Sequence, residues 1–223
     1  MDTATSARTD PEIHRDVLAE LDWDPQVPPT VVGVAVLHGV VTLTGSVDSY
    51  AHRWAAVRCA QRIRGVRAVA DDIEVRPSDV PGQTDTELAL AAGRALEWDS
   101  FVPAERLDVT AANGWLILRG EAEFGWQRRT AERELRRLRG VRGVTNLVEV
   151  RPARRPTGER ARHDVQRAVS RILGTERVQA RVRGDTVVLT GVVRSWWERD
   201  EAERIAWSAP GVRAVDDRLV VVG

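Results

Sequence analysis

A chain of 223 residues with 43% hydrophobic and 30% charged side chains is apolar enough to bury a core, which excludes a disordered, highly charged polymer. Its 33 basic residues, all arginine, balance 33 acidic ones, so no global field draws it to nucleic acid and no nucleic-acid partner is expected. Cys59 is the lone cysteine, which excludes an intramolecular disulfide.

The N-terminal segment has no apolar stretch of signal-peptide length, and no window approaches the roughly 20 apolar residues of a membrane-spanning helix. The expected location is therefore the cytoplasm, with the membrane periphery within reach and no transmembrane segment.

In chain order, Ile13, Val17, Leu18 and Leu21 recur at helical spacing and predict a first amphipathic helix. Two alternating runs follow, Val32/Val34/Val36 and Val41/Leu43, joined by His38-Gly39 as a hairpin. The second run ends at Gly45. Ala56, Ala60 and Ile63 mark one face of a second helix, which stops at Gly65-Val66, and Val69, Ile73 and Val75 carry a last strand. A Pro- and Gly-containing stretch near residues 77–83 then reads as a linker.

The same grammar returns twice. Leu88, Ala92, Ala95 and Leu96 predict a helix; Leu107/Val109 and Leu116/Leu118 flank Asn113-Gly114 and end at Gly120; Ala131, Leu135 and Leu138 lead to Gly140-Val141; Val144, Val148 and Val150 close the unit. After a second linker near residues 152–158 come Val165, Val169, Ile172 and Leu173, a hairpin ending at Gly191, a helix on Ala202, Ala206 and Ala209, then Gly211-Val212 and Val215/Leu219/Val221. Each Gly-Val lies 20 positions after its anchor glycine, so the unit is α-β-β-α-β written three times.

Three units with a glycine closing the hairpin and Gly-Val closing the second helix resemble the BON domain family. The resemblance implies an α+β fold of three tandem domains, each a three-stranded mixed sheet packed by two helices, over residues 1–78, 79–154 and 155–223. It further implies a non-catalytic binding role in bacterial stress response, often linked to phospholipid or the cell envelope. Family proteins with repeated domains are commonly exported, a pattern this N-terminus does not share. Physically, a unit of about 70 residues buries only roughly 60% of its unfolded surface, so stacking copies supports stability as well as multiplying binding surfaces.

Nothing in the sequence assembles a catalytic set. His14, His38, His52 and His163 stand singly, no phosphate-loop glycine pattern occurs, and no cofactor or metal is expected. Asp71, Asn146 and Asp217 recur within the last strands, either as cation contacts or as side chains satisfying backbone donors, the reading favoured here. The first would suit a cation sensor, and the family resemblance implies potassium as the ion, since some cytoplasmic BON-containing proteins are associated with potassium binding.

Tryptophan is the sharpest signal. Tyr50, Trp54, Trp196 and Trp207 fall on the second-helix side opposite the core, with Trp126 and Trp197 at the flank. They either pack against a neighbouring repeat, dock on a membrane interface or meet a protein partner. Trp23 and Trp98, each followed by Asp, are expected to cap the packing of the first helices. Arg128 and Arg129 open a tract with seven arginines up to Arg142, and Arg154 and Arg155 crowd the second linker, which suits anionic lipid. The reading is a non-enzymatic protein associating with anionic phospholipid or an envelope component through these residues. The alternative to it, beside the cation sensor, is a chaperone-like holdase.

Overall fold

The computed structural model describes residues 8–28, 32–77, 84–152, 165–169, 171, 177–209 and 211–222. In the first repeat, helix α1 (Asp10–Trp23) is followed by β1 (Val32–Leu37) and β2 (Val40–Val47), then α2 (Tyr50–Arg62) and β3 (Ala68–Val75). The second repeat runs α3 (Asp85–Trp98), β4 (Leu107–Ala112), β5 (Trp115–Ala122), α4 (Gly125–Arg136), β6 (Gly143–Asn146) and β7 (Glu149–Val150). In the third, residues 165–169 are helical (α5), and β8 (Val178–Arg183), β9 (Thr186–Val193), α6 (Trp196–Ser208) and β10 (Ala214–Val221) follow. The fold is α+β in three repeats, as the periodicity predicts.

Each sheet places the hairpin's second strand at its centre. β2 pairs antiparallel with β1 and parallel with β3, and β9 does the same with β8 and β10. β5 pairs antiparallel with β4 and parallel with both β6 and β7. The sequence leaves strand order open; the parallel neighbours are the two strands that flank each second helix, so that helix is the crossover and must lie on the sheet. The helical stripe and the strand alternation meet there. Val41, Leu43, Ala56, Ala60, Val66 and Ile73 are buried together with Ile13 and Val17, and the other two cores repeat the arrangement. Leu18 departs from the expected stripe and is exposed, because the sheet is reached by Ile13, Val17 and Leu21 alone.

Two local devices fix the repeat. The hairpin turns His38-Gly39 and Asn113-Gly114 have positive φ at both residues, as a type I′ turn requires. Their amides donate to the first residue of the preceding helix: His38 and Gly39 to Asp10 at 2.7 and 2.8 Å, Asn113 and Gly114 to Asp85 at 2.7 and 2.9 Å. These paired backbone bonds hold both carboxyls below the usual range.

The anchor glycine has a steric origin. At Gly120, with φ of +119°, a Cβ would lie 2.1 Å from the carbonyl oxygen of Arg106; at Gly191, with φ of +124°, it would lie 2.0 Å from that of Arg177. Gly93 is the opposite case, a mid-helix glycine with nothing near its missing Cβ.

Gly120→Ala is therefore expected to destabilise the protein by about 2 kcal/mol or more. Gly93→Ala is expected to stabilise it by about 0.5–1 kcal/mol. Urea unfolding of the two variants beside the parent protein checks both signs.

Candidate functional site

The second helices carry the aromatic and basic residues, and the structure brings α2, α4 and α6 together at one junction. Five residues after each anchor glycine stand Tyr50, Gly125 and Trp196. Tyr50 packs on the core of the second repeat and Trp196 on that of the first. Gly125 receives Trp207 from the third repeat so closely that a Cβ there would lie 2.4 Å from the indole Cε3. The contacts thus run in a ring from repeat 1 to 2, 2 to 3 and 3 to 1.

Further along the helices the ring continues. Trp54, Arg129 and Asp200 occupy one repeat position, nine residues after the anchors. The Arg136 guanidinium of the second repeat lies 4.8 Å from the Trp54 ring centroid, and Arg58 lies 4.6 Å from it. Arg129 Nη2 donates to the carbonyl oxygen of Arg204 at 3.2 Å, across to the third repeat. Asp200 faces Arg58 of the first repeat beyond ion-pair distance. Between the helices lies a cleft of about 380 Å³, lined by Trp54, Arg58, Arg129, Arg136, Trp197 and Trp207 among others.

Electrostatics in the cleft are strained. Loss of water lowers the pKa of both Arg58 and Arg129. Asp200, at the open edge, is pushed up to about 6 from the ordinary 3.8, first by desolvation and then by Glu203, while Arg58 and Arg199 pull it back.

Of the residues singled out by sequence, Tyr50, Trp54, Arg129, Trp196 and Trp207 thus lie in contacts between repeats, with Trp197 at the rim, 42% exposed. Trp126 lies apart in an aromatic cluster, stacked on Phe124 and meeting Phe101 edge-on, each at 5.9 Å between centroids. Arg154 and Arg155 lie outside the described residues. Three of the tract's seven arginines are spent on ion pairs within it: Arg133 and Arg137 pair with Glu134, and Arg136 with Glu132.

Arg128 belongs to a different device. It, Arg53 and Arg199 stand eight residues after the anchors, opposite Asn146, Asp71 and Asp217. Arg53 Nε donates to Asp71 at 2.8 Å, Arg199 Nε to Asp217 at 2.6 Å, and Arg128 Nη2 to the Asn146 carbonyl oxygen at 3.3 Å. Each Asx side chain also accepts the backbone amide two residues on, from Ile73, Val148 or Leu219. The Asp71 and Asp217 side chains thus satisfy a backbone donor and an arginine, and the Asn146 side chain satisfies a backbone donor and itself donates to the Arg128 carbonyl oxygen and to Glu132. Among the described residues no group of three His, Cys, Asp or Glu side chains is placed to hold a metal ion. Cys59 is buried against Asp24, and burial pushes its thiol up to about 12, far from a reactive thiolate.

One expectation is overturned. Trp23 and Trp98 do not cap helix packing; they are 84% and 88% exposed. Leu21 and Leu96 are the last inward residues of their helices, and two positions later the side chain has turned about 200° to the opposite face. Asp24 and Asp99 then accept the amides of Gln26 and Phe101, turning the chain so that Val27 and Val102 re-enter the core. That leaves Phe101 outside, 66% exposed. Helical phase counted from Leu21 and Leu96 would have found both tryptophans. Arg58, Arg136 and Asp200 were missed because their role exists only where repeats meet, although aligning the three second helices places Trp54, Arg129 and Asp200 in one column.

A family model described as "BON domain" matches residues 9–77, 84–152 and 160–223. The chain is 30% identical over 146 residues to "Osmotically-inducible protein Y" of Escherichia coli (strain K12), an alignment covering 64% of this chain and 73% of that protein. Two solved structures of CdsD, a structural protein of the Type III secretion system of Chlamydia trachomatis, align at 13% identity over 95% and 100% of this chain and 92% and 100% of theirs. Their TM-scores of 0.27 and 0.26 are too low to bear on the fold.

Asp200→Asn is expected to raise the melting temperature at pH 7 by about 1 °C, because folding disfavours the charged form and solvent at the exposed cleft edge screens most of that penalty. The stability that protonated Asp200 permits is fully present below 3.8 and lost as pH rises through about 6, so the variant's advantage should vanish near pH 4. Melting curves across that range read the sign directly.

Proposed function

The chain belongs to the BON domain family, and from that premise we propose that it is a non-catalytic stress-response protein that docks peripherally on anionic phospholipid surfaces through the tryptophans ending its first helices. One observation carries the reading: Trp23 and Trp98 occupy the same position in two repeats and are 84% and 88% exposed. A large ring held in water forgoes burial, and an exposed apolar group repeated at one position marks a contact surface more than an accident of packing. Indole suits the headgroup level of a bilayer, apolar in its body and a donor at its edge.

The second repeat adds to this surface. Phe101 follows Trp98 in the same turn and is 66% exposed, and Arg94 lies one helical turn before Trp98 on its face, open to solvent. A ring that enters the interface with a guanidinium beside it matches an anionic headgroup layer. The third repeat carries no Trp-Asp at this position, so attachment rests on the first two. Among the described residues no helix is long and apolar enough to cross a membrane, which fits docking on the surface. Similarity to an osmotically inducible protein supports the stress setting.

Trp54, Trp196 and Trp207 are not part of this surface, since their rings meet neighbouring repeats, and Trp126 packs on Phe101 and Phe124 of its own repeat. Co-sedimentation with vesicles of phosphatidylglycerol in phosphatidylcholine, beside vesicles of phosphatidylcholine alone, tests the assignment. The parent protein should pellet with the anionic vesicles. A Trp98→Ala/Phe101→Ala variant should lose binding about tenfold, whereas Trp197→Ala should bind as the parent does. Equal binding by all three, or none by the parent, overturns it.

A further inference from the structure

The cleft among α2, α4 and α6 holds more guanidinium donors than acceptors that reach them. Arg136 spends Nη2 on Glu132, but its Nε is buried with no partner among the described residues. Arg129 donates to one backbone carbonyl and, among the described residues, has no carboxylate within ion-pair distance. Arg58 has neither an ion pair nor a hydrogen bond among the described residues; it stacks on Trp54.

Acceptors in the wall are already committed or out of reach. Glu132 serves Arg136 and Glu201 serves Arg204, while Glu203 accepts from the Trp207 indole at 3.1 Å through Oε1 and acts on Arg129 by its charge without pairing with it. Asp200 has no hydrogen bond or ion pair among the described residues, and Arg58 acts on it only by its charge at longer range. Buried donors without acceptors are costly, and desolvated arginines are costlier, so such a cluster persists where an acceptor can enter.

We propose that this cleft is a binding site for a phosphate-bearing anion, held by Arg58 of the first repeat and Arg129 and Arg136 of the second. The chemistry selects the class. Guanidinium groups reaching in from two helices suit a group with several charged oxygens pointing in different directions, which phosphate has and a lone carboxylate lacks. Stacking of Arg58 and Arg136 on Trp54 holds both planes in place before the anion arrives. A volume of about 380 Å³ exceeds what one phosphate fills and leaves room for the group that carries it, with Trp197 at the rim. Because the arginines belong to different repeats, the anion would also bridge them. Asp200 opposes the ligand's charge and sets the site's affinity below what the arginines alone would give. This inference is independent of the tryptophan surface.

The test is isothermal titration of the full chain with inorganic pyrophosphate at fixed ionic strength. Saturable one-site binding is expected, weakened about tenfold or more in Arg58→Gln and in Arg129→Gln, unchanged in Arg218→Gln on the distant β10 strand, and tightened in Asp200→Asn. Far-ultraviolet circular dichroism confirms that each variant is folded, and Asp200→Asn, a gain of affinity, cannot arise from misfolding. The phosphatidylglycerol vesicles supply the second arm. Pelleting lost in Arg58→Gln and Arg129→Gln, without any response to pyrophosphate, identifies the phosphate as a lipid headgroup. Pyrophosphate binding that survives Trp98→Ala/Phe101→Ala identifies a soluble ligand and separates the two sites. If neither pyrophosphate nor vesicle binding depends on Arg58 and Arg129, the proposal is wrong.

Discussion

Five residues beyond each anchor glycine, the second helix of one repeat meets the next repeat, and the pairing at that position sets the arrangement of the whole chain. Tyr50 fills the contact from repeat 1 to repeat 2, and Trp196 fills that from repeat 3 to repeat 1. Between repeats 2 and 3 the polarity is reversed: Gly125 leaves the space and Trp207 occupies it. Large-to-large or small-to-small pairing would either clash or leave a cavity, so the substitutions that distinguish the three copies are complementary. A ring of this kind buries aromatic surface that a lone domain of about 70 residues would have to leave in water.

The ring also explains how units of one fold acquire different roles. One column of the repeat holds Trp54, Arg129 and Asp200, an aromatic, a cation and an anion, where a symmetric assembly would place three copies of one residue. Three arginines at such a point would repel; three aspartates would repel as strongly. The tandem chain escapes that constraint, and the mixture produces a cleft whose arginines are desolvated but incompletely paired. Elsewhere the repeats stay alike where the physics is local: Asp10 and Asp85 hold equivalent turns, and Arg53 and Arg199 hold equivalent aspartates.

Binding surface and junction are built from different helices. The first helices bury Ile13, Val17 and Leu21, or Leu88, Ala92 and Leu96, against their own sheets and end by turning a tryptophan outward. The second helices face the neighbours. A residue on a second helix is therefore available to another repeat before it is available to an outside partner, and the reverse holds for the ends of α1 and α3.

The repeat, its α-β-β-α-β order, the hairpin turns and the core were legible in the sequence because each rests on short-range periodicity: two for strands, 3.6 for helices, with glycine where backbone crowding excludes a Cβ. The Asx positions were legible as well, since a side chain bonding an amide two residues away is a local event. Which tryptophans meet water was decided by the tertiary structure. Periodicity separates a helix's inward face from its other faces, but cannot distinguish an outward face covered by another repeat from one left bare. That distinction placed Trp54, Trp196 and Trp207 inside the ring and left Trp23 and Trp98 exposed, because the contacts that decide it join residues up to about 150 positions apart.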